Sequence, residues 1–380
     1  MKNRCNLILL ALGVFLLAGC NNGTGNKGKN EVTDMIGRTV KVNPGSYKKV
    51  VCIGAGALRL YSYVGDVDLL SGVEDIDNIS LTNRPKMFDT SARPYFIVNK
   101  ETFKKLPSCG VGGPNAQKAE AEKILECDPD LIISEYEDVT IADSLQEKTG
   151  VPVITLKYGY KGVFDEAIQN SISLLGKILK EEERANKLNK YITDQKQIIS
   201  DRTKDLVSNE SVYICGLGNW GTTNHLMTAQ NYEPLNVVHA NNVVKDLPKD
   251  GIGPITAEKL VSLGENIDKM FIDTAAIRNI DLGDSIVKTT LESIKAWKNK
   301  EVYLQMPYNA YYTNVETALA NTWFYAKTIY GDAFKDIDMT AKTNEITKEF
   351  LNKEIAEEIF KCSTSFGGYQ KIDPETFFAK

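Results

Sequence analysis

Four groups of polar and aromatic side chains follow apolar runs of the chain, where parallel strands end and ligands commonly bind. Aromatic rings beside cationic and amide groups suit a flat, anionic or oxygen-rich ligand. Trp220 is the leading candidate, since the surrounding glycines leave little strand or helix packing to explain it. Ordinary packing is the alternative role, above all for the tyrosines, because the chain has 17 of them. The ligand-binding candidates are Trp220, Arg84, Arg93, Tyr95, Tyr158, Asn219, Tyr308, Tyr311 and Tyr312.

The histidine count argues against a bare metal ion as the ligand. His225 and His239 are the only two in the chain, whereas capture of Zn²⁺ or Mn²⁺ normally needs several converging histidines and carboxylates. One axial contact to a haem iron stays open, with a structural role as the favoured interpretation. We therefore predict no metal site built by the protein itself and no resident cofactor.

Motifs for catalysis are weak or missing. Gly54-Ala55-Gly56 follows an apolar run as in a dinucleotide fingerprint, but Arg59 stands where the third glycine would be. The sequence also lacks a Gly-x-Ser-x-Gly elbow, a Walker loop and an HExxH motif. We predict a binding protein without catalytic residues, and a Rossmann-type enzyme is the least favoured alternative. An oxyanion ligand stays open, because backbone N–H groups at glycine-rich helix starts bind anions.

Size and charge narrow the class of protein. The chain has 380 residues, 42% of them hydrophobic, which is more natural for two globular domains than for one. Its 45 Lys and Arg against 50 Asp and Glu give a formal charge of −5. Without a basic excess to follow a phosphate backbone, nucleic acid is not expected as a partner.

The N-terminus is typical of an export signal. Lys2 and Arg4 precede an apolar stretch over 7–18 that is too short to span a bilayer. The sequence Leu17-Ala18-Gly19-Cys20 resembles the bacterial lipobox, which implies cleavage before Cys20 and a diacylglycerol on its sulfur. We therefore expect a signal peptide over 1–19, a flexible tether over 20–31 and a body that a lipid anchors to the extracytoplasmic side of the cell membrane. An ordinary secretory signal is the alternative.

Five cysteines would remain besides the lipidated one. Cys52 and Cys215 lie in apolar runs and are expected to be buried as small hydrophobic side chains. A Cys109–Cys127 disulfide stays open.

The elements that must position the candidates alternate between strand and helix, which indicates largely parallel sheets. A charged stretch over 181–207 contains neither Gly nor Pro and predicts a helix of roughly 40 Å, at about 1.5 Å per residue. Its apolar residues recur at three- and four-residue spacing on one face, namely Leu188, Tyr191, Ile192, Ile198, Ile199 and Leu206. We expect an α/β lobe over 32–180, the interlobe helix over 181–207 and a second α/β lobe over 208–380. The predicted strands lie at 49–53, 130–134, 151–155, 211–215, 269–273 and 301–304, and the other predicted helices include 57–64, 116–127, 256–263 and 315–330.

A short signature occurs once in each half. Glu122-Lys123-Ile124-Leu125 and Glu258-Lys259-Leu260-Val261 each place an acid early in a predicted helix that precedes a buried strand. This weak internal repeat suggests two similar lobes.

Taken together, these features resemble the ABC-transporter substrate-binding proteins for iron–siderophore, haem and cobalamin complexes. The resemblance is carried by the N-terminal segment 32–42, the strand, turn and helix over 49–60, and the segments 113–133, 174–185 and 307–338. In the segment 113–133 an asparagine, a predicted helix and the sequence Pro-Asp-Leu-Ile follow one another. It implies the class III periplasmic binding protein fold, with two Rossmann-like lobes around mostly parallel sheets, joined by one long α-helix.

The resemblance also implies partners and roles. A cleft between the lobes would capture the metal chelate, and a monomer would deliver it to an ABC permease and its ATPase. Glu122 and Glu258 would each dock on the permease; the alternative is that both are ordinary solvated acids favoured by the helix dipole. A surface adhesin or sensor with the same fold, and an oxyanion-binding importer component, are the remaining alternatives.

Overall fold

The computed structural model describes residues 30–86, 89, 91–113, 116, 118–218, 223–249 and 251–379. Its first lobe is built on a four-stranded, wholly parallel sheet with strand order β4-β3-β5-β6. A small antiparallel hairpin of β1 and β2 precedes this sheet. The strands are β1 Glu31–Thr33, β2 Thr39–Lys41, β3 Val50–Ile53, β4 Leu70–Gly72, β5 Leu131–Ser134 and β6 Val153–Thr155.

Helices cover the first sheet because its strands are buried on both faces and need apolar cover on each. Helix α1 packs against the central strands β3 and β5, and α5 packs in turn on α1. The helices of this lobe are α1 Ala57–Val64, α2 Pro94–Phe103, α3 Ala121–Glu126, α4 Val139–Thr149 and α5 Glu166–Leu179.

The second lobe contains a five-stranded sheet of order β13-β12-β11-β7-β9, parallel except for the edge strand β13. An antiparallel pair of β8 and β10 lies beside it. The strands are β7 Ser211–Cys215, β8 Met227–Gln230, β9 Asn241–Asn242, β10 Gly251–Pro254, β11 Lys269–Asp273, β12 Val302–Gln305 and β13 Gln370–Ile372.

One long helix, α6 Glu182–Thr203, runs between the two lobes, as predicted. Its buried face includes Leu188, Ile192 and Ile199, again as predicted. Ile198 and Leu206 were expected on the same face but are 44% and 37% exposed, and Leu206 lies beyond the end of the helix. The remaining helices are α7 Glu233–Val237, α8 Ala257–Leu263, α9 Ser285–Glu292, α10 Lys295–Lys298, α11 Val315–Tyr330, α12 Met339–Leu351, α13 Ala356–Lys361 and α14 Pro374–Phe378.

The C-terminal helices add a second connection between the lobes that the sequence did not suggest. Helices α12 and α13 contact α2, and α12 also contacts α1, so that part of the second half packs on the first lobe. Arg184 at the start of α6 donates to the carbonyls of Tyr63 and Phe350 at 2.9 and 3.0 Å. The lobes are therefore braced along one side by both α6 and α12.

Two elements begin two or more residues later than predicted, while the other predicted starts differ by one residue at most. The helix expected over 116–127 begins only at Ala121, where the Glu120 carboxylate accepts from the Val111 N–H at 2.8 Å. The strand expected from 151 begins at Val153, because Pro152 has no N–H to donate to a neighbouring strand. The five cysteines at 52, 109, 127, 215 and 362 are free, so Cys109 and Cys127 do not form a disulfide.

None of the helices in the described ranges is long and apolar enough to cross a membrane.

Candidate ligand-binding cleft

The carboxyl ends of both sheets carry the residues that join the two lobes. In the first sheet, β3 and β5 are adjacent, while the chain runs to β4 on one side and to β6 on the other. Such a reversal of strand order opens a crevice at the carboxyl ends, where ligands of open α/β sheets bind. The loop after β12 in the second lobe crosses to this edge and contacts it.

Arg59 is the central polar contact between the lobes. It lies on α1 and is completely buried. Its Nε donates to Asn314 Oδ1 at 2.8 Å and its Nη2 to the Ala310 carbonyl at 2.7 Å, both in the second lobe. Its Nη1 donates to the Tyr158 hydroxyl at 3.0 Å in its own lobe. The guanidinium is thereby fixed by partners on both sides, which meets the requirement that a buried charge be hydrogen-bonded.

A second polar contact joins Tyr311 to Glu74. The Tyr311 hydroxyl donates to Glu74 Oε2 at 2.6 Å and accepts from the Gly113 N–H at 3.0 Å. The other oxygen of Glu74 accepts from the Gly54 N–H at 2.9 Å. Burial raises the pKa of Glu74 to about 7, although the hydrogen bonds from Gly54 and Tyr311 oppose that shift. This carboxyl group therefore links the β3 turn to the second lobe.

The tyrosines after β12 adopt an unusual backbone. Tyr311 and Tyr312 have φ of 54° and 70°, which is the left-handed region that residues other than glycine rarely enter. The Asn314 N–H bonds to the Tyr308 carbonyl at 2.8 Å and closes this loop. The Tyr312 ring stacks on the Tyr158 ring, with centroids 4.7 Å apart and planes at 13°. Strained backbone held in place by its surroundings is typical of functional sites.

Glu135 follows β5 directly, Glu137 comes two residues later, and both lie near the Tyr312 ring. Glu135 is 7% exposed, and its Oε1 has no hydrogen-bond partner among the described residues. Burial raises the pKa of Glu135 to about 9, with a further increase from Glu137 and an opposing effect of Arg59. Glu137 pairs with Lys157 at 3.2 Å and accepts from the Tyr160 hydroxyl at 2.9 Å, while its Oε1 is also buried without a partner.

The floor of the second lobe is also polar. Asp273 ends β11 and is buried, which raises the pKa of its carboxyl group to about 8. Gln305 ends the neighbouring strand β12, and its Oε1 accepts from the Tyr325 hydroxyl at 2.6 Å. Tyr308 is 1% exposed and lies near Tyr232, with centroids 6.4 Å apart.

The predicted candidates fall into four groups. Tyr158, Tyr311 and Tyr312 come together where the lobes meet. Tyr308 is buried within the second lobe. Asn219 and Trp220 lie outside the described residues, as does the predicted lipidation site Cys20. Their roles stay predictions.

The other three candidates bind acids of the first lobe. Arg93 is completely buried and pairs with Asp77 at 2.7 Å, and the Tyr95 hydroxyl donates to the same carboxylate at 3.1 Å. Arg84 donates to Asp89 Oδ1 at 2.8 Å. Their charge is therefore compensated inside the first lobe, so a ligand would have to compete with these acids for the two guanidinium groups.

The proposed docking acids lie at equivalent places in the two lobes. Glu122 is exposed in the first turn of α3, which precedes β5, and Glu258 is exposed in the first turn of α8, which precedes β11. Strand β5 lies beside β3 as β11 lies beside β7. The local repeat noted in the sequence thus corresponds to one structural unit used twice.

Sequence analysis did not select Arg59, Glu74, Glu135 or Glu137. A usable signal existed for Glu135, because an acid directly after the apolar run Leu131-Ile132-Ile133-Ser134 must lie at the carboxyl end of a buried strand. Arg59 offered no such signal, since its position in the middle of α1 only becomes meaningful once the second lobe covers it. Neither histidine lies in a cluster of metal-binding side chains, and no such cluster occurs in the described residues.

A sequence profile described as "Periplasmic binding protein" matches residues 61–308 of this chain. The chain belongs to the periplasmic binding protein family. Members of this family are extracytoplasmic solute-binding proteins of ABC transporters rather than enzymes. No curated protein sequence matches the chain.

Solved structures agree in fold. A periplasmic solute-binding protein from Veillonella parvula is 21% identical with a TM-score of 0.64, covering 85% of this chain and 93% of that one. The molybdate-binding MolA of Haemophilus influenzae is 15% identical with a TM-score of 0.63, covering 85% and 98%. CeuE of Helicobacter pylori, solved with Ni(II) bound, is 18% identical with a TM-score of 0.59, covering 87% and 99%.

Proposed function

We propose that this periplasmic binding protein is the lipid-anchored component of an ABC importer for an iron–siderophore complex or a related chelate such as haem or cobalamin. The observation that carries the proposal is the tyrosine-lined junction of the lobes at the carboxyl ends of both sheets, formed by Tyr158, Tyr311 and Tyr312. Aromatic rings of this kind suit a large, partly flat ligand better than a small ion.

The ligand can be identified directly. Protein purified from its native host under non-denaturing conditions would be examined by mass spectrometry and by visible absorption. A Soret band indicates haem, a corrin spectrum indicates cobalamin, and a ligand-to-iron charge-transfer band indicates a ferric siderophore. A colourless oxyanion, such as the molybdate named for MolA, would contradict the chelate proposal.

The docking proposal rests on Glu122 and Glu258, which are exposed at matching positions of the two lobes. We expect Glu122→Ala/Glu258→Ala to reduce transporter-dependent uptake at least tenfold while ligand affinity stays unchanged. The matched control is Glu126→Ala/Glu265→Ala, because these acids are also exposed and lie in or beside the same two helices. Equal uptake by the two double variants would contradict a specific docking role.

A further inference from the structure

Two buried carboxyl oxygens in the cleft have no hydrogen-bond partner within the described part of the chain. Glu135 and Glu137, named here the acidic pair, each have an Oε1 that is buried and unbonded among the described residues. An unpaired buried acceptor lowers the stability of the folded state, and more so if it is charged, so proteins retain one mainly where something else supplies the partner. Glu135 is more than nine-tenths buried.

The position of the acidic pair is that of a ligand site. The Glu135 N–H bonds to the Ile53 carbonyl at 3.0 Å, so this residue extends β5 beside the end of β3, where the strand order reverses. Gly54, which follows β3, packs against Glu135, because a Cβ built on this glycine would lie 3.4 Å from the Cβ of Glu135. The carboxylate is therefore held at the centre of the sheet edge and not on a peripheral loop.

Three tyrosines lie near the acidic pair, and one of them, Tyr160, is 82% exposed. The Tyr160 hydroxyl donates to Glu137, and Tyr158 stacks on Tyr312 from the opposite lobe. Both acids act on the Tyr312 hydroxyl, since burial and then the charges of Glu135 and Glu137 raise its pKa. We name Tyr158, Tyr160 and Tyr312 the tyrosine wall. Carboxylates together with aromatic faces are the combination that recognises organic cations.

The cationic side chains near the acidic pair do not donate a hydrogen bond to either Oε1 atom in the described structure. The three guanidinium nitrogens of Arg59 donate to Asn314, Tyr158 and Ala310 and leave Glu135 unbonded. Lys157 contacts Glu137, but it leaves the Oε1 atom of that residue without a partner. Arg84 and Arg93 are engaged by Asp89 and Asp77.

We propose that the acidic pair binds a cationic nitrogen group of the ligand, an ammonium or a guanidinium, against the tyrosine wall. This inference rests on the proposed function, because it names a chemical feature of the ligand bound in the same cleft. The N–H groups of the cation supply the donors that the two Oε1 atoms lack among the described residues. Its positive charge displaces the proton that burial favours on Glu135 in the ligand-free protein, and that proton passes to solvent. The ligand is then a chelate with a positively charged arm, not the anionic ligand suggested by the arginines in the sequence.

A matched pair of small probes tests the site itself. Benzamidinium and benzamide have nearly the same shape, but only benzamidinium carries a charge and a fork of N–H donors. We expect ligand-observed NMR titration to show at least tenfold tighter binding of benzamidinium by the wild-type protein. Glu135→Gln and, separately, Glu137→Gln should each lower benzamidinium affinity several-fold and leave benzamide binding unchanged. Glu147→Gln, an exposed acid on α4, is the control.

Folding of each variant is checked by thermal unfolding, and Glu137→Gln keeps the test decisive if Glu135→Gln fails to fold. Equal binding of the two probes, or benzamidinium affinity that neither glutamine variant changes, would overturn the proposal. Stronger binding of benzamide would overturn it as well, since a neutral acceptor would then be the preferred partner.

A second pair of probes separates this inference from the proposed function. Ferrioxamine B is a ferric trihydroxamate with a free ammonium group, and its N-acetylated derivative lacks that charge. Preference for the ammonium form supports both proposals. Equal binding of both forms supports a chelate ligand and overturns the cation site. A charge preference among the benzamidine probes without binding of either ferric complex supports the cation site and argues against a hydroxamate chelate.

Discussion

The Glu135 side chain combines deep burial with an Oε1 atom that no described residue hydrogen-bonds, and this has a consequence for stability. Its pKa is raised to about 9 by burial, whereas the unfolded chain has an ordinary carboxyl pKa near 4.5. The folded state thus retains a proton that the unfolded state loses. The contribution of this group is fully favourable below the unfolded pKa and is lost as the pH rises towards 9.

Glu135→Gln should therefore stabilise the ligand-free protein at pH 8, by about 1–3 kcal/mol, and the difference should shrink as the pH falls towards 4.5. Denaturant unfolding of both proteins at several pH values measures it. The groups that act on this carboxyl are Glu137, Arg59, Tyr136, Tyr158, Tyr160 and Tyr312, and the substitution leaves all of them in place. A stability difference that does not change with pH would contradict the assignment.

Backbone strain at Tyr312 offers a second test at the same scale. Its φ of 70° costs a residue with a Cβ about 1 kcal/mol or more, and glycine avoids that cost. We expect Tyr312→Gly to be more stable than Tyr312→Ala by about 1 kcal/mol, although both lose the stacking contact with Tyr158. At Tyr325 in the middle of α11 the order should be reversed, because glycine destabilises a helix interior. If alanine is the more stable substitution at both positions, strain at Tyr312 is ruled out.

At the scale of elements, local sequence patterns predicted most of the strands and helices near the cleft. Helices α1 and α11 and strands β7 and β11 have the predicted bounds, since each is an apolar run ended by glycine, a polar turn or a capping residue. The pattern could not reveal that Arg59 and Asn314 are partners, because 255 positions separate them in sequence. The packing of α12 on the first lobe likewise depends on tertiary contacts.

That packing leads to a prediction for Arg184, which ties the start of α6 to α1 and α12 through backbone carbonyls. Arg184→Met keeps the apolar stem and removes these charge-assisted hydrogen bonds, so we expect a loss of about 2–3 kcal/mol in unfolding free energy. The control is Lys187→Met on the same helix, where a 65% exposed side chain pairs with Glu349 and should contribute less than about 1 kcal/mol. Similar losses in both variants would contradict the bracing role.

At the scale of the whole molecule, two kinds of contact hold the lobes together. Along the back, α6 and α12 pack on the first lobe and are largely apolar at their buried faces. At the cleft, the contacts are the hydrogen bonds of Arg59 and Tyr311, together with a small apolar patch of Ile76, Ala92, Ala275 and Ala310. Opening for a ligand would break the cleft contacts and keep those along the back, because the former are fewer and directional.

Among these cleft contacts, the hydrogen bonds of the Tyr311 hydroxyl can be removed by the smallest substitution, the loss of one oxygen atom. Tyr311→Phe removes the donor to Glu74 and the acceptor for Gly113, both in the opposite lobe, and should weaken closure of the ligand-free protein by about 1–3 kcal/mol. Single-molecule energy transfer between dyes on Glu147→Cys and Lys288→Cys, two exposed positions in different lobes, would then detect a larger separated population. Tyr160→Phe is the control, since its hydroxyl bonds only to Glu137 within the first lobe and its loss should leave the distribution unchanged. If Tyr311→Phe also leaves it unchanged, closure is governed by the contacts along the back and by Arg59 rather than by the Tyr311–Glu74 bond.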